Sequence, residues 1–269
     1  MYKKSNSEQI IVEKKGSGSG NLLLIRSGRK KPLCLDKWCE NDQITILISA
    51  YEEIEYDPPI NSWIIYGGLS KFHAAKKIFA MFPELDSHEF FGFFDPDVEI
   101  NQDAINSLFA MGKRLKKDIY QASLTKNSYT QWQFLKSHPK SPDWVETSFV
   151  EVMAPIFSKR ALDKCLPSFD ASISSWGLEY LWYKECKFMS MGFFNKISMI
   201  HATKMDSTDG PFYKYLKGIG INPQDEHDFL REKVSFYTPC YVPKVIPIVL
   251  KPAYIFMTSL IRKSKRTTT

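Results

Sequence analysis

The chain has 269 residues, of which 43% are hydrophobic and 25% charged, an ordinary composition for a globular protein with one large domain or two small ones. The formal net charge of +6 lies mostly near the two ends. No nucleic-acid-binding motif accompanies it, so nucleic acid is not an expected partner. There is no secretory apolar stretch near the start and no run of about 20 apolar residues, so we expect a cytoplasmic protein without a membrane-spanning helix.

Cysteine usage points to a reducing compartment. The five cysteines are Cys34, Cys39, Cys165, Cys186 and Cys240. Their number is odd and none of them forms a C-x-x-C pair, which argues against a disulfide framework and against a zinc site.

The first half of the chain predicts alternating strands and helices. Residues 1–20 are expected to form a flexible arm that ends in a Gly/Ser run. The elements that follow are strands at 21–27, 43–51 and 62–68, a helix from Ser70 to Pro83, a strand from residue 89 into Asp95, a helix over 101–117 and a strand over 118–125. This alternation is typical of a mostly parallel α/β sheet flanked by helices.

The alternation weakens after about residue 125. Residues 148–166 look strand-like in their first half and helical in their second. Residues 174–189 predict a loop that turns into a helix at Gly177, and 193–203 predict a last strand that delivers His201 at its end.

The most informative stretch is the run EFFGFFDPDVEI at 89–100. A short, apolar, β-prone segment leads directly into Asp95 and Asp97, so both carboxylates are expected at the C-terminal end of a buried strand. Ligands bind at that edge of open α/β sheets, and paired carboxylates are hard oxygen ligands for Mg²⁺ or Mn²⁺. The alternative is a surface turn, since Asp and Pro are turn residues.

From these residues the chain resembles the DUF707 family of glycosyltransferases, and the resemblance covers roughly residues 21–205. It rests on the ordered segments LLLIRSG, GGLSKFHAAKKIF, FFDPDVEI, YQASLT, FVEVMAPIFSKRAL, SSWGLEYLW and MIHAT. The resemblance implies a GT-A-like fold over residues 21–235, which is the architecture of nucleotide-diphospho-sugar transferases.

The resemblance also implies a metal site. Asp95 and Asp97 would hold Mn²⁺ or Mg²⁺ on the diphosphate of a nucleotide sugar, with Asp97 the stronger ligand and Asp95 facing the ribose or a metal-bound water. His201 would complete the metal shell, although a lone histidine is more often structural. The family often has Asp-Glu-Asp at this motif, and Pro96 takes the middle position here.

Glu179 is the candidate catalytic base. Inverting glycosyl transfer needs a carboxylate that takes the proton of the acceptor hydroxyl, and the segment WGLE is similar to stretches that supply this base in other inverting GT-A enzymes. The alternative is a carboxylate that interacts with the dipole of its helix.

Five weaker candidates surround this set. Arg26 and Lys71 could neutralise a phosphate or could be solvated cations. Glu151, flanked by apolar residues, is either a substrate contact or half of a structural ion pair. Trp176 could stack under a sugar ring or belong to the core, and the neighbouring Gly177 is a weaker substrate candidate.

The C-terminal segment, residues 236–269, is rich in proline and ends in an apolar stretch followed by basic residues. The apolar stretch spans 253–261, and the basic residues are Arg262, Lys263, Lys265 and Arg266. This order suits the anionic cytoplasmic face of a membrane, and the alternative is a helix packed on the core.

The leading hypothesis is therefore a metal-dependent, inverting glycosyltransferase that passes a sugar from a nucleotide sugar to a glycan or a lipid-linked glycan. Two alternatives stay open at this point. One is a sugar nucleotidyltransferase, for which RSGRKK at 26–31 is only a faint match to the expected Gly-rich basic loop. The other is a non-catalytic carbohydrate-binding relative.

Overall fold

A computed structural model describes residues 9–17, 20–40, 42–204, 210–234, 239–242, 246 and 248–266. The strands of these residues are β1 Ile11–Lys14, β2 Asn21–Ser27, β3 Ile44–Ala50, β4 Trp63–Tyr66, β5 Phe90–Phe94, β6 Val98–Glu99, β7 Ile119–Leu124, β8 Trp144–Glu146, β9 Ile156–Ser158 and β10 Met191–His201. The α-helices are α1 Lys71–Met81, α2 Gln102–Arg114, α3 Lys159–Cys165, α4 Leu178–Glu185, α5 Pro211–Gly218, α6 Pro223–Lys233 and α7 Lys251–Arg266.

These strands form one sheet in the order β1-β4-β3-β2-β5-β9-β7-β10-β6, with β8 beside β10. Strands β4, β3, β2 and β5 are parallel, and so are β7 and β10. Strand β9 runs antiparallel between β5 and β7, so both parallel groups point the same way and their carboxyl ends share one edge. The predicted α/β class and its parallel core are confirmed, with antiparallel strands added at β9 and at the margins.

The central strands are buried on both faces because helices and loops cover both sides of the sheet. Along β2, Leu22 and Leu24 join one hydrophobic cluster, whereas Leu23 and Ile25 join the other. This is the two-residue alternation of a strand. It also explains why the sequence is continuously apolar there instead of alternating with polar residues.

Much of the aromatic content lies in the core, as predicted. Phe72 of α1 packs edge-on against Phe169 and Trp182, with ring centroids 4.8 and 5.2 Å apart. Phe93 of β5 and Phe157 of β9 make similar contacts from the sheet. Edge-to-face pairs of this kind contribute roughly 0.5–1.5 kcal/mol each beyond the area that they bury.

The predicted flexible arm is wrong for Ile11–Lys14, which form edge strand β1 antiparallel to β4. The short run Ile10-Ile11-Val12 has the β-branched side chains that a half-buried edge favours. The backbone of Gln9 passes so close to Gly67 that a side chain on Gly67, whose φ is +110°, would collide with it. Residues 1–8 and 18–19 of the arm lie outside the described residues.

The predicted strand in the first half of 148–166 is shorter than expected. Only Ile156–Ser158 form a strand, and the residues before them cross the carboxyl edge of the sheet in an irregular conformation. Their carbonyls are nevertheless paired, because the Phe93 and Asp95 amides donate to Pro155 and Met153 at 2.9 and 2.8 Å. This crossing segment, residues 148–155, carries Glu151 to the edge where the site lies.

The domain continues beyond the predicted boundary at residue 235. Lys251, Ile255 and Ser259 are buried along one face of α7, at the four-residue spacing of a helix face. The Lys251 ammonium donates to the Glu146 carboxylate at 2.6 Å, and Glu146 also accepts from the Trp144 indole at 2.9 Å. The start of α7 is therefore part of the core. For this part of the C-terminal segment, the structure supports packing on the core and not membrane association.

The side chains of the basic cluster after residue 260 lie outside the description. In the part of the chain that the structure describes, none of the helices has the length and apolar character required to span a bilayer.

Removal of the Lys251 charge should destabilise the whole fold. Lys251→Ala leaves the Glu146 carboxylate, which is 17% exposed, without its cation, and removing one partner of a buried pair costs roughly 3–5 kcal/mol. Lys217→Ala, at an exposed helical lysine, should change stability by less than about 0.5 kcal/mol. Urea unfolding of both variants measures the difference, and a loss below about 1 kcal/mol for Lys251→Ala would mean that α7 contributes little to the core.

Candidate active site

A cavity of about 360 Å³ opens at the carboxyl edge of the sheet. Consecutive elements each place a polar side chain there, as expected for an open α/β sheet. These side chains are Arg26 near the end of β2, Tyr51 after β3, Lys71 at the start of α1, Asp95 and Asp97 after β5, and His201 at the end of β10.

Lys71 and Asp95 form a buried ion pair at the floor of this cavity. The Lys71 ammonium lies 2.8 Å from Asp95 Oδ1 and donates to the Val152 and Met153 carbonyls at 2.6 and 3.2 Å. Burial lowers the pKa of Lys71 and raises that of Asp95, and each charge opposes the shift of the other. All three donors of Lys71 have acceptors, so it anchors Asp95 and is not a solvated lysine.

Asp97 and His201, both predicted as metal ligands, pair with each other in the structure. Strand β6 lies antiparallel to the end of β10 with Val98 opposite His201, which brings His201 Nε2 to 3.3 Å from Asp97 Oδ2. Burial alone would lower the pKa of His201, but the hydrogen bond and charge of Asp97 outweigh it and raise this pKa to about 9. Burial likewise acts to raise the pKa of Asp97, and His201 reverses that shift.

A carboxylate and an imidazole are available here to bind a metal ion. Asp97 and His201 are the two donors already in contact, whereas Asp95 is held by Lys71. Among the residues that the structure describes, no group of three His, Cys, Asp or Glu is arranged to hold an ion. The side chains described by the structure therefore do not make a closed metal site by themselves, and substrate or water would supply further ligands to an ion bound here.

Glu179 is buried at the cavity and only 7% exposed. It is the second residue of α4, and among the described residues its Oε2 has no hydrogen-bond partner. Burial, with a smaller contribution from the charge of nearby Glu151, raises the pKa of Glu179 to about 8. A solvated carboxylate at a helix terminus would not have this environment, which favours the catalytic hypothesis over the helix-dipole one.

Glu151 is a second buried carboxyl in the same cavity. The Thr130 hydroxyl donates to its Oε1 at 2.9 Å, while its Oε2 lacks a partner within the described chain. Burial raises the pKa of Glu151 to about 7. Its bonded partner is a hydroxyl and not a cation, which favours substrate contact over a structural ion pair.

Trp176 belongs to the cavity and not to the core. It is half-buried, lines the opening, and meets the ring of Tyr213 edge-on at 6.2 Å. Gly177 is not among the residues that line the cavity. Its φ of +88° and the 3.1 Å between an added Cβ and Leu230 Cβ explain why glycine is required there, so its role is conformational.

Arg26 is hydrogen-bonded to the protein next to the cavity. Its guanidinium donates to the Ser49 hydroxyl at 2.9 Å and to the carbonyls of Gly67 and Gly68 at 2.8 and 2.6 Å. Burial lowers its pKa to about 10. Most of its donors are used within the protein, so it contributes positive charge to the cavity more than direct phosphate contacts.

Several residues that line the cavity were not predicted from the sequence. They are Tyr51, Gln131, Trp132, Phe212, Tyr213 and His227. Tyr51 directly follows β3, so the strand-end rule that identified Asp95 could have found it. Nothing in the local pattern of the α5 and α6 residues marks them as cavity residues.

No protein-family model and no curated protein matches the chain, so membership of DUF707 remains a prediction. Among solved structures, the chain is similar to S. aureus TarS 1-349, at 11% identity and a TM-score of 0.48 over 79% of this chain and 70% of that one. A second S. aureus TarS structure has 11% identity and a TM-score of 0.46, over 80% of this chain and 43% of that one.

Replacement of the buried Glu179 should stabilise the protein at alkaline pH. Because folding raises the pKa of Glu179 from 4.5 to about 8, the folded state binds this proton more tightly, and wild-type stability falls as pH rises through that window. Glu179→Gln does not titrate, so its stability relative to wild type should be greater by roughly 4 kcal/mol at pH 9 than at pH 5.

Urea unfolding at the two pH values measures this difference. Glu185→Gln, at the exposed end of the same helix, is the matched control and should show no comparable pH-dependent gain. Equal stabilities of Glu179→Gln and wild type at both pH values would contradict the burial of an unpaired carboxyl.

Proposed function

We propose that this protein is a glycosyltransferase that passes a sugar from a nucleotide sugar to a glycan or lipid-linked glycan. One observation carries the proposal. A single cavity joins the charged strand-end cluster of Lys71, Asp95, Asp97 and His201 to a buried carboxyl, Glu179, that lacks a partner for one oxygen in the described chain. The first set suits a diphosphate, and the second suits an acceptor hydroxyl.

The donor would lie at the carboxyl edge of the sheet. Lys71 and Arg26 are buried cations in the cavity, and the pair of His201 with Asp97 lines the same cavity. Fixed positive charge of this kind in a cavity of low dielectric stabilises the negative charge that develops on a departing nucleoside diphosphate. Asp95, held by Lys71, would accept hydrogen bonds from the ribose hydroxyls.

We place the metal ion at Asp97. Asp97 would supply a carboxylate oxygen and His201 an imidazole nitrogen after losing its proton, with diphosphate oxygens and water as the remaining ligands. The imidazole favours Mn²⁺ over Mg²⁺, since Mg²⁺ prefers oxygen. A bound ion would supply Lewis-acid neutralisation of the diphosphate.

Glu179 would activate the acceptor. Its pKa of about 8 lies close to physiological pH, where a carboxyl can take a proton and release it again. Attack of the acceptor oxygen on the sugar carbon from the side opposite the diphosphate would invert that centre. Glu151, with an unpaired Oε2 in the described chain, would accept a hydrogen bond from a sugar hydroxyl.

Two substitutions separate donor binding from catalysis. Asp97→Asn should weaken the Mn²⁺-dependent affinity for nucleoside diphosphates roughly 10–100-fold. Glu179→Gln should spare that affinity and lower turnover roughly 10²–10⁴-fold. Calorimetry with UDP, GDP and CDP measures the first effect, and release of the nucleoside diphosphate from the matching nucleotide sugars measures the second.

Asp103→Asn, at an exposed aspartate in the first turn of α2, controls for loss of one negative charge. Unchanged Mn²⁺-dependent affinity in Asp97→Asn would remove the metal assignment. Normal turnover in Glu179→Gln would remove the base.

We also propose that the outer face of α7 and the turn before it contact an anionic membrane, which suits a lipid-linked acceptor. Val249, Leu250 and Met257 are 68%, 55% and 56% exposed, and the next stretch of sequence is the basic one. Exposed apolar residues next to basic ones favour anionic lipid surfaces. Truncation before α7 would also remove the buried Lys251–Glu146 pair, so it would change stability and membrane contact together.

Substitution on the exposed face is the sharper test. The triple variant Val249→Ser, Leu250→Ser, Met257→Ser should keep its melting temperature and lose sedimentation with phosphatidylglycerol vesicles. Ile60→Ser, at another strongly exposed apolar residue, should bind those vesicles as wild type does. Equal vesicle binding by the triple variant and wild type would refute the membrane contact.

A further inference from the structure

The loop before α4, residues 172–177, has a strained backbone. Ser175 has a φ of +71° and Gly177 a φ of +88°. A left-handed conformation costs free energy for a residue with a side chain, so it persists only where the surroundings hold it, and such residues cluster at functional sites. The same loop places Ser174, Ser175 and Trp176 on the wall of the cavity.

A single carboxylate from another element holds this loop. Glu226, in the first turn of α6, accepts the Ile173 amide on Oε1 at 2.8 Å. On Oε2 it accepts the Ser174 amide at 2.8 Å and the Ser172 hydroxyl at 3.0 Å. Hydrogen bonds to an ionised acceptor are about twice as strong as neutral ones, and three of them converge here.

The conformation of the loop determines the positions of residues in the cavity. The Trp176 amide donates to the Ser174 hydroxyl at 3.2 Å, and the Leu178 amide donates to the Ser175 carbonyl at 3.4 Å. Leu178 is the first residue of α4 and Glu179 the second. The conformation of the loop therefore sets where Trp176 stands and where the first turn of α4 begins.

Helix α6 also touches α4 directly. The Tyr180 hydroxyl and His227 Nε2 are 3.1 Å apart, and their rings lie 5.4 Å apart. Leu230 is fully buried next to Gly177. Beyond Glu226, helix α6 thus contacts α4 at Tyr180 and the last residue of the loop at Gly177, so loss of the carboxylate alone should loosen residues 172–176 without releasing the helix.

We propose that Glu226 is a positioning residue, whose carboxylate fixes the 172–177 loop and thereby the placement of Trp176 and Glu179 in the cavity. The consequence for turnover rests on the proposed function, whereas the effect on the loop and on Glu179 does not.

The test compares Glu226→Gln with Asp225→Asn. An amide replaces one acceptor oxygen with a donor, so the Ile173 or the Ser174 amide loses its partner. Asp225→Asn removes one charge from the same exposed helix turn and controls for the helix dipole. Hydrogen exchange of the amide that loses its partner, Ile173 or Ser174, should be about tenfold faster in Glu226→Gln, and exchange of both amides should be unchanged in Asp225→Asn. Unchanged protection in Glu226→Gln would overturn the proposal.

A second measurement, the titration of the Glu179 carboxyl, needs no substrate. NMR titration of protein labelled with ¹³C-glutamate reports the Glu179 carboxyl, with the spectrum of Glu179→Gln as the assignment. In Glu226→Gln the titration should move towards the ordinary pKa of a glutamate, because an unfixed loop lets water reach the carboxyl. A purely structural Glu226 would lower the melting temperature and leave this titration in place, which would also overturn the proposal.

Measurement of turnover distinguishes a failure of this inference from a failure of the proposed function. In an active enzyme, Glu226→Gln should lower kcat about tenfold, a loss within the range for a displaced catalytic group, and leave nucleoside diphosphate affinity unchanged. Normal kcat together with faster loop exchange would overturn the positioning role. If wild type transfers no sugar, the proposed function fails, and the exchange and titration results still decide whether Glu226 places Glu179.

Discussion

The contact on which the site depends is the buried ion pair of Lys71 and Asp95. Lys71 begins α1, Asp95 ends β5, and the carbonyls of Val152 and Met153 complete the acceptors of the ammonium. One cation thus ties a helix, a strand and the crossing segment together at the carboxyl edge. A buried lysine without these partners would carry a large desolvation cost, so the three elements are held in one arrangement. The positions of Asp97 and Glu151 follow from it.

The site is built at the expense of stability. Glu151 and Glu179 are buried carboxyls, each with an oxygen that lacks a partner in the described chain, and burial of an unpaired polar group is unfavourable. The Ser175 backbone is strained. The Glu226 carboxylate accepts hydrogen bonds from the loop that contains it. Backbone strain and unpaired polar groups of this kind are known features of functional sites.

Many residues at the carboxyl edge of the sheet could be predicted from the sequence. Continuous apolar runs marked β2, β3 and β5, and the residues directly after a buried strand had to lie at its carboxyl end, which is why Asp95, Asp97 and His201 were found. Edge strand β1 was missed because a four-residue segment next to a Gly/Ser run carries a weak periodic signal. Its pairing with β4 is a tertiary contact that local propensity does not reveal.

The residues that long-range packing brings to the cavity could not be predicted. Tyr213 and His227 come from α5 and α6, far along the chain from the strand ends, and no spacing links them to Glu179. The environment of Glu179 itself was also hidden, because sequence places it in the first turn of a helix but does not say whether that turn faces water or a cavity. Only the packing of α4 against the crossing segment and α6 decides this.

A crystal structure of the Glu179→Gln variant with Mn²⁺ and an intact nucleotide sugar tests the central claim most directly, since the substitution should let the donor bind without being consumed. We expect the ion on Asp97, the diphosphate beside Lys71 and His201, and the sugar ring directed towards residue 179 and Trp176. A nucleotide sugar bound away from this edge, or bound here with the sugar turned away from residue 179, would contradict it.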